Sequence, residues 1–198
     1  PVIISLSPNS LEDVFECAFL IAKALGSEKS AVTYISNLQS RLNKVTDTLR
    51  AHQAPLKRVM LMEWIEPIYN CGHWIPYQIA YAGGVDMLSN PSGDSIVTPW
   101  DKIVQYNPQV IVIAPCGFFP ERTIEEIDIL TTKPAWSSLL AVQTNNVYIA
   151  NFDLFTQPSA STLTDGIQLL AGLFHPEIFK IPEQLVEKYY PLNLLMVH

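Results

Sequence analysis

The residues best able to do chemistry lie in a loop that follows a short apolar run at Val59–Met62. Cys71 and His73 stand two positions apart in that loop, with Glu63 and Glu66 a few residues upstream. A cysteine beside a histidine can form a nucleophile–base pair, but side chains at i and i+2 seldom face each other, and the chain has no G-x-S-x-G turn. The pattern therefore does not favour an enzyme.

The same residues also raise the question of a metal site. His73, Cys71, Glu66 and Cys116 are of ligating types, but the spacing between them matches none of the usual zinc patterns. A loop histidine more often serves as a hydrogen-bonding residue. We therefore expect no metal held directly by protein side chains. A nucleotide cofactor is not expected either, because the chain lacks a GxGxxG or Walker sequence to bind phosphates.

Aromatic side chains are concentrated in or beside loops that follow the predicted strands. They are Trp64, Trp74, Phe118, Phe119, Phe152 and Phe155. Each one could cap the core beneath its loop, but six at one edge of a sheet also favour a flat apolar ligand or a protein partner. Open parallel α/β sheets bind ligands at the carboxyl ends of their strands, which is where these loops lie. Both interpretations stay open at this point.

Strands and helices alternate along the chain. Apolar runs predict strands at Val2–Leu6, Val59–Met62, Val110–Ala114 and Val147–Ile149. A long helix is predicted over residues 27–52. The alternation predicts an α/β fold, in the form of a three-layer-like lobe with a short, mostly parallel β-sheet flanked by helices and preceded by the long helix.

The long helix carries an apolar stripe on one face, formed by Ile35, Leu38, Leu42, Val45 and Leu49. Its opposite face is expected in solvent and carries Asn37, Arg41, Lys44 and Asp47. Capping boxes at Ser10–Asp13, Thr98–Asp101 and Thr162–Asp165 predict the starts of three other helices. We divide the chain into residues 1–55, with the first strand and two helices, and residues 56–198, an α/β lobe with a helical tail.

Composition excludes several classes of function. The formal net charge is -7 over 198 residues, which argues against binding nucleic acid or anionic membrane surfaces. No apolar run reaches the roughly 18 residues of a membrane span. Residues 1–8 lack the charged start and apolar middle of a signal peptide, so we expect a targeting segment to be absent or already removed. The spacing of Cys17, Cys71 and Cys116 implies no disulfide scaffold.

Several segments together resemble the ABC-transporter solute-binding proteins whose two α/β lobes are joined by one long helix. These proteins are the receptors for vitamin B12, iron siderophores and haem, and the similarity is greatest to the cobalamin-receptor-like branch. The similarity runs from Val2 to Phe179. The segments that carry it are Ser7–Val14 (SPNSLEDV), Glu63–Pro67 (EWIEP), Gly72–Pro76 (GHWIP), Ala82–Gly84 (AGG), Asn107–Val112 (NPQVIV), Ala114–Phe118 (APCGF) and His175–Glu177 (HPE).

The resemblance implies a role for each part of the chain. Residues 27–52 would form the inter-lobe helix, and the residues after them the C-terminal lobe. The complete N-terminal lobe that the family has before Val2 is missing from this sequence. The implied ligand is a corrinoid (cobalamin) or an iron chelate, with no other cofactor. The residues that would line the C-lobe side of the cleft are Trp64, Glu66, Asn70, His73, Trp74, Cys116, Gly117, Phe118, Asp153 and Phe155.

The resemblance also implies partners and a compartment. An ABC permease is the family's partner, but Thr156 or Gln157 stands where cobalamin receptors carry an acidic docking residue, and Gln157–Ser161 replaces an arginine-bearing segment. We expect a separate N-lobe chain or another protein subunit against residues 2–52, where loss of a lobe would leave apolar surface. Family members are exported to the periplasm. An organellar or complex-bound location would follow if the chain is an assembly subunit.

The sequence thus predicts a non-catalytic, solute-binding-protein-like domain for a corrinoid or an iron chelate. The alternative is a truncated homologue recruited as a structural or assembly subunit of a larger complex, with ligand binding lost.

Overall fold

The computed structural model describes residues 3–195 of the chain. Its α-helices are α1 (Leu11–Ala24), α2 (Glu28–Ala51), α3 (Ile75–Tyr81), α4 (Trp100–Tyr106), α5 (Pro120–Glu126), α6 (Asp128–Thr131), α7 (Leu140–Gln143), α8 (Ala160–Phe174) and α9 (Leu192–Leu195). Its strands are β1 (Lys57–Trp64), β2 (Tyr69–Asn70), β3 (Gly72–His73), β4 (Gly84–Val85), β5 (Asn90–Pro91), β6 (Ile96–Val97), β7 (Val110–Ile113), β8 (Val147–Ala150) and β9 (Tyr189–Pro191). Short 3₁₀ helices cover Trp136–Ser138, Phe152–Leu154 and Glu183–Lys188.

The main sheet has the strand order β6-β2-β1-β7-β8-β9, and β4 pairs with the start of β1. The three central strands are parallel, with Val59 opposite Val110 and Ile111 opposite Val147. The outer strands β2, β6 and β9 run antiparallel to their neighbours. The prediction of a short, mostly parallel sheet is therefore confirmed for its centre.

Both faces of the sheet are covered by helices. Along β1, Val59 and Leu61 pack into a core with α2, α3 and α8, whereas Met60 and Met62 pack into a second core on the opposite face. The second core contains residues of α4, α6 and α7. Burial on both faces explains why the central strands read as continuous apolar runs rather than alternating ones. The three-layer α/β prediction is confirmed.

The two N-terminal helices begin close to where the sequence predicts. At the start of α1 the Ser10 hydroxyl accepts from the Asp13 backbone N–H at 3.1 Å, and the Asp13 carboxylate accepts from the Ser10 N–H at 2.9 Å. The predicted capping box is therefore present. In α2, Leu38, Leu42 and Val45 of the predicted stripe are buried against the lobe.

Four predictions about local structure are wrong. Residues 3–6 of the predicted first strand form no strand, because none of the described residues hydrogen-bonds to them as a neighbour; Val2 lies outside the described residues. Helix α4 starts after Pro99 without a side-chain cap, and α8 starts at Ala160, which places the predicted box at Thr162–Asp165 inside the helix. Arg41, predicted to be solvated, instead binds the side chains of Asp165 and Gln168.

In the part of the chain that the structure describes, no helix combines the length and the hydropathy needed to cross a membrane.

Candidate functional site

Loops from three strands meet at the carboxyl edge of the central sheet. Strand β1 ends at Trp64, β7 at Ile113 and β8 at Ala150. The loop after β7 is tied to β1 by two backbone hydrogen bonds, from Ala114 N–H to the Met62 carbonyl and from Cys116 N–H to the Glu63 carbonyl, each 3.0 Å long. This edge is where a parallel α/β sheet binds ligands.

Two aromatic pairs lie at this edge, Trp64 with Phe118 and Phe119 with Phe152, and the four side chains are together called the aromatic face. The rings of Trp64 and Phe118 lie 5.0 Å apart and tilted by 57°, and Phe119 meets Phe152 edge-on at 5.3 Å. The Arg122 guanidinium stands over the Phe118 ring at 5.3 Å. Phe119 is 54% exposed, which is unusual for so large an apolar side chain. The aromatic face therefore offers flat apolar surface to a binding partner.

Gly117 directly precedes Phe118 of the aromatic face in the sequence. Its φ of +80° is in the left-handed region, and no described atom lies within 4 Å of where a Cβ would stand. The backbone conformation therefore favours glycine, and the space above it is open. The neighbouring Cys116 is exposed.

The loop that carries His73 has a strained and tightly packed backbone. His73 has a φ of 53°, and its backbone N–H donates to the Gly93 carbonyl at 2.6 Å. A Cβ on Gly72 would stand 2.5 Å from that same carbonyl oxygen, so glycine is required there. The His73 Nε2 lies 3.5 Å from an oxygen of Asp94. The loop thus holds a half-buried imidazole in one position beside acidic groups.

The two glutamates of the β1 end have different surroundings. Glu63 is largely withdrawn from solvent and accepts from the Ser95 hydroxyl. Burial raises the pKa of Glu63, while the hydrogen bonds from Ser95 and Gly72 and the nearby His73 oppose that rise. Glu66 is exposed and forms an ion pair with Lys133 at 3.1 Å. Glu66 is the more accessible of the two to a ligand.

Cys71 lies in a buried, acidic environment. It is fully buried, its sulfur lies 3.8 Å from a carboxylate oxygen of Asp86, and burial raises the pKa of its thiol well above the usual value. A thiol in these surroundings stays protonated and is a poor nucleophile. The Cys71–His73 arrangement therefore gives no support to a cysteine nucleophile.

Of the ten residues predicted to line the cleft, four are not free on the surface. Asn70 and Phe155 are 0% exposed and Trp74 is 8% exposed, so these three lie beneath the loops. The Trp74 indole N–H donates to the Phe155 carbonyl at 2.6 Å. Asp153 binds Lys188 at 3.1 Å, and its second oxygen is buried without a partner among the described residues. The six that remain at the surface are Trp64, Glu66, His73, Cys116, Gly117 and Phe118.

The structure also brings forward residues that the sequence did not assign to the cleft. Phe119 and Phe152 are predicted as loop aromatics, but the sequence does not show that their rings meet. Nothing in the sequence indicates that Arg122 contacts the Phe118 ring, apart from its position in the helix that follows the loop. Within residues 3–195, no group of three or more His, Cys, Asp or Glu side chains is arranged to hold a metal ion.

Comparison with known proteins gives a family and a set of structural relatives. A family model described as periplasmic binding protein matches residues 1–154. No curated protein sequence matches the chain significantly.

Three solved structures illustrate the likeness in fold. A periplasmic binding protein from Veillonella parvula is 17% identical, with a TM-score of 0.72 over 84% of this chain and 57% of its own. The periplasmic vitamin B12 binding protein of Vibrio cholerae is 18% identical, with a TM-score of 0.68 over 88% and 65%. The S. aureus protein IsdE, complexed with haem, is 18% identical, with a TM-score of 0.72 over 84% and 66%. The chain thus spans less than two thirds of each of these structures.

Proposed function

The chain belongs to the periplasmic binding protein family, and we propose that it is a non-catalytic solute-binding domain whose ligand lies on the aromatic face. The observation that carries this proposal is the meeting of Trp64 with Phe118, and of Phe119 with Phe152, at the carboxyl edge of the sheet. Four aromatic side chains from three strand ends form a surface suited to a flat, largely apolar solute.

The proposed ligand is a corrinoid or an iron chelate. Proteins of the same fold include one that binds vitamin B12 and one complexed with haem, and both ligands contain a near-planar macrocycle that holds a metal. The macrocycle of such a ligand coordinates the metal, so the protein needs to provide only a stacking surface and a few polar contacts. Glu66 follows Trp64 by two residues and His73 lies near Glu63, the residue before Trp64, so both could supply those contacts.

The proposed site has a surface layer and a supporting layer. Trp64, Glu66, His73, Cys116, Gly117 and Phe118 would touch the ligand, together with Phe119 and Phe152. Asn70, Trp74, Phe155 and Asp153 would act from beneath by fixing the loops. A ligand on one open face buries much less surface than one in a closed cleft, so a second protein surface is needed for tight binding.

We further propose that a protein surface covers the N-terminal part of the chain. Ile3, Ile4, Leu20, Ile21 and Leu25 are between 45% and 88% exposed. A groove of about 490 Å³ between α1 and α2 is lined by the apolar residues Phe15, Phe19, Leu20 and Ile35 and by the polar residues Glu12, Glu16 and Gln39. Exposed apolar side chains of this number are typical of protein interfaces. An N-lobe carried by another chain, or an unrelated subunit of a complex, would fit this surface.

The proposed physiological setting follows from the family. We propose an exported domain that passes its solute to an ABC permease. The assembly-subunit alternative shares the partner surface and differs in having no ligand.

Isothermal titration of cyanocobalamin and haemin into the purified chain tests the ligand proposal. We expect saturable binding of one of them, weakened about tenfold in Phe118→Ala because an aromatic stacking contact is lost. Met87→Ala is the matched control, because Met87 is 73% exposed and lies away from the aromatic face. It follows β4, which pairs with the start of β1, whereas the aromatic face lies at the end of β1. Absence of saturable heat for both ligands up to about 1 mM would remove the binding proposal and leave the assembly alternative.

A further inference from the structure

A second groove, separate from the aromatic face, lies between α2, α8 and the segment after α8. It has a volume of about 360 Å³ and is lined by Arg41, Lys44, Val45, Thr48, Gln168, Ile178, Phe179, Lys180 and Pro182. Helix α2 ends shortly before β1 begins, and the end of α8 meets the residue before β4, where His175 Nε2 lies 3.3 Å from the Gly83 carbonyl. The groove therefore lies towards the amino ends of the strands, opposite the aromatic loops.

Positive charge is concentrated in this groove although the chain is acidic. The whole chain has 12 lysines and arginines and 19 aspartates and glutamates. Three of the 12 basic residues line the groove, and none of its lining residues is acidic. Within residues 3–195 neither Lys44 nor Lys180 forms an ion pair. Both lysines are exposed residues that line the groove, and two ammonium groups at its surface raise the local concentration of anions.

The third cation is held in place by its neighbours. Arg41 donates to Asp165 and to the side-chain oxygen of Gln168. Arg41 thereby fixes the orientation of the amide, and the Gln168 amide nitrogen, which has no acceptor among the described residues, can donate to a ligand. Arg41 therefore serves mainly to orient a neutral donor, while Lys44 and Lys180 provide the charge.

The rest of the groove is apolar. Val45 is 4% exposed and forms part of the floor, and Ile178, Phe179 and Pro182 form a wall. A concave site of a few hundred Å³ with apolar walls and a few placed polar donors is the usual form of a small-molecule site. Inorganic anions alone would leave the apolar wall unused.

We propose that this groove binds a small amphiphilic anion, a carboxylate or phosphate ester with an apolar body of up to about ten carbon atoms. The acid group would lie between Lys44 and Lys180 and accept from the Gln168 amide, while the body rests on Phe179 and Ile178. This site is independent of the aromatic face and does not depend on a corrinoid or iron chelate binding there.

Calorimetric titration of the full chain tests the proposal, with inorganic phosphate as the reference and with phenyl phosphate and hexanoate as the two probes. We expect saturable binding of one of them that weakens about tenfold in the double variant Lys44→Gln/Lys180→Gln, because two charge-assisted contacts are lost. The double variant Lys23→Gln/Lys102→Gln removes two exposed lysines elsewhere and should bind like the wild type. Phe118→Ala should also bind like the wild type, which separates this site from the aromatic face.

Three outcomes would overturn the proposal. The first is no saturable binding of either probe up to about 10 mM. The second is equal weakening in both lysine double variants, which would mean attraction to surface charge in general. The third is equal affinity for inorganic phosphate and phenyl phosphate, which would mean that the apolar wall contributes nothing. Circular dichroism of each variant verifies that the fold is retained.

Discussion

Trp74 links the surface loops to the core through a single hydrogen bond. Its indole N–H donates to the Phe155 carbonyl at 2.6 Å, and both residues are buried. The sequence identified Trp74 and Phe155 as aromatics of the site, but not as a pair that fixes two loops to each other. Residue type and spacing reveal which loops carry aromatics. Which aromatic side chains face solvent depends on how the loops pack against one another. This packing involves contacts between residues far apart in the sequence, so the residue types of one loop do not reveal it.

Replacing Trp74 with phenylalanine keeps most of the apolar volume and removes the donor. We expect Trp74→Phe to lower the free energy of unfolding by about 1–3 kcal/mol, because a buried carbonyl loses its partner. Trp100→Phe is the control, since its indole N–H donates to the Pro134 carbonyl at 2.7 Å at a half-exposed position. Urea unfolding of both variants measures the difference, and equal losses would contradict the structural role given to Trp74.

At the scale of elements, the three central strands were predictable because their apolar runs are buried on both faces. The short strands β2, β6 and β9 were not, since two or three residues carry no periodicity and form only where a neighbour offers hydrogen bonds. Residues 3–6 show the opposite case, in which a sequence with strand propensity forms no strand because no neighbouring strand is present among the described residues. Ile3 and Ile4 have that propensity, but none of the described residues pairs with them.

A buried carboxylate joins β1 to the loop that carries His73. Asp86 accepts from the Asn70 side chain at 3.1 Å, from Leu88 N–H at 2.9 Å and from Leu61 N–H at 3.3 Å. Burial nevertheless dominates these hydrogen bonds and raises the pKa of Asp86 to about 6. Asn70, predicted to touch ligand, thus has a structural partner that the sequence did not indicate.

The raised pKa of Asp86 makes stability depend on pH. A folded-state pKa above the unfolded value near 4 means that the folded protein holds the proton more tightly. The free energy of unfolding should therefore fall as pH rises from about 4 to about 6, by about 2–3 kcal/mol from this group.

Urea unfolding across this pH range, with Asp86→Asn as the comparison, measures that contribution. In the variant, the free energy of unfolding should still fall as pH rises, but less steeply than in the wild type. Part of the fall remains because burial also raises the pKa of Glu63. If the free energy of unfolding of Asp86→Asn depended on pH as steeply as that of the wild type, Asp86 would have to titrate outside the range from about pH 4 to about pH 6.

At the scale of the whole molecule, apolar surface is concentrated at the N-terminal end. Ile21 on α1 and Leu25, the residue after α1, are exposed apolar side chains in this chain. Exposed apolar surface of this kind favours self-association when no other partner is present.

We expect the isolated chain to sediment as a dimer or larger species at on the order of 100 µM, where contacts of micromolar affinity are occupied. Ile21→Lys should shift it towards the monomer, because a charge is placed in the contact. Ile129→Lys on α6, at a site that is 39% exposed, is the matched control. A wild-type chain that stays monomeric at that concentration would contradict the proposed partner surface.

Solute binding on the aromatic face is the central claim, and the four tryptophans report on it directly. Each indole N–H gives one signal in a ¹H–¹⁵N spectrum recorded during titration with diamagnetic cyanocobalamin. We predict that the Trp64 signal moves most, that Trp74 moves less, and that Trp100 and Trp136, stacked 6.2 Å apart beneath the other face of the sheet, stay in place. A Trp64 signal unmoved at about 1 mM cyanocobalamin, or shifts of equal size at Trp64 and Trp100, would contradict binding of a corrinoid at this face.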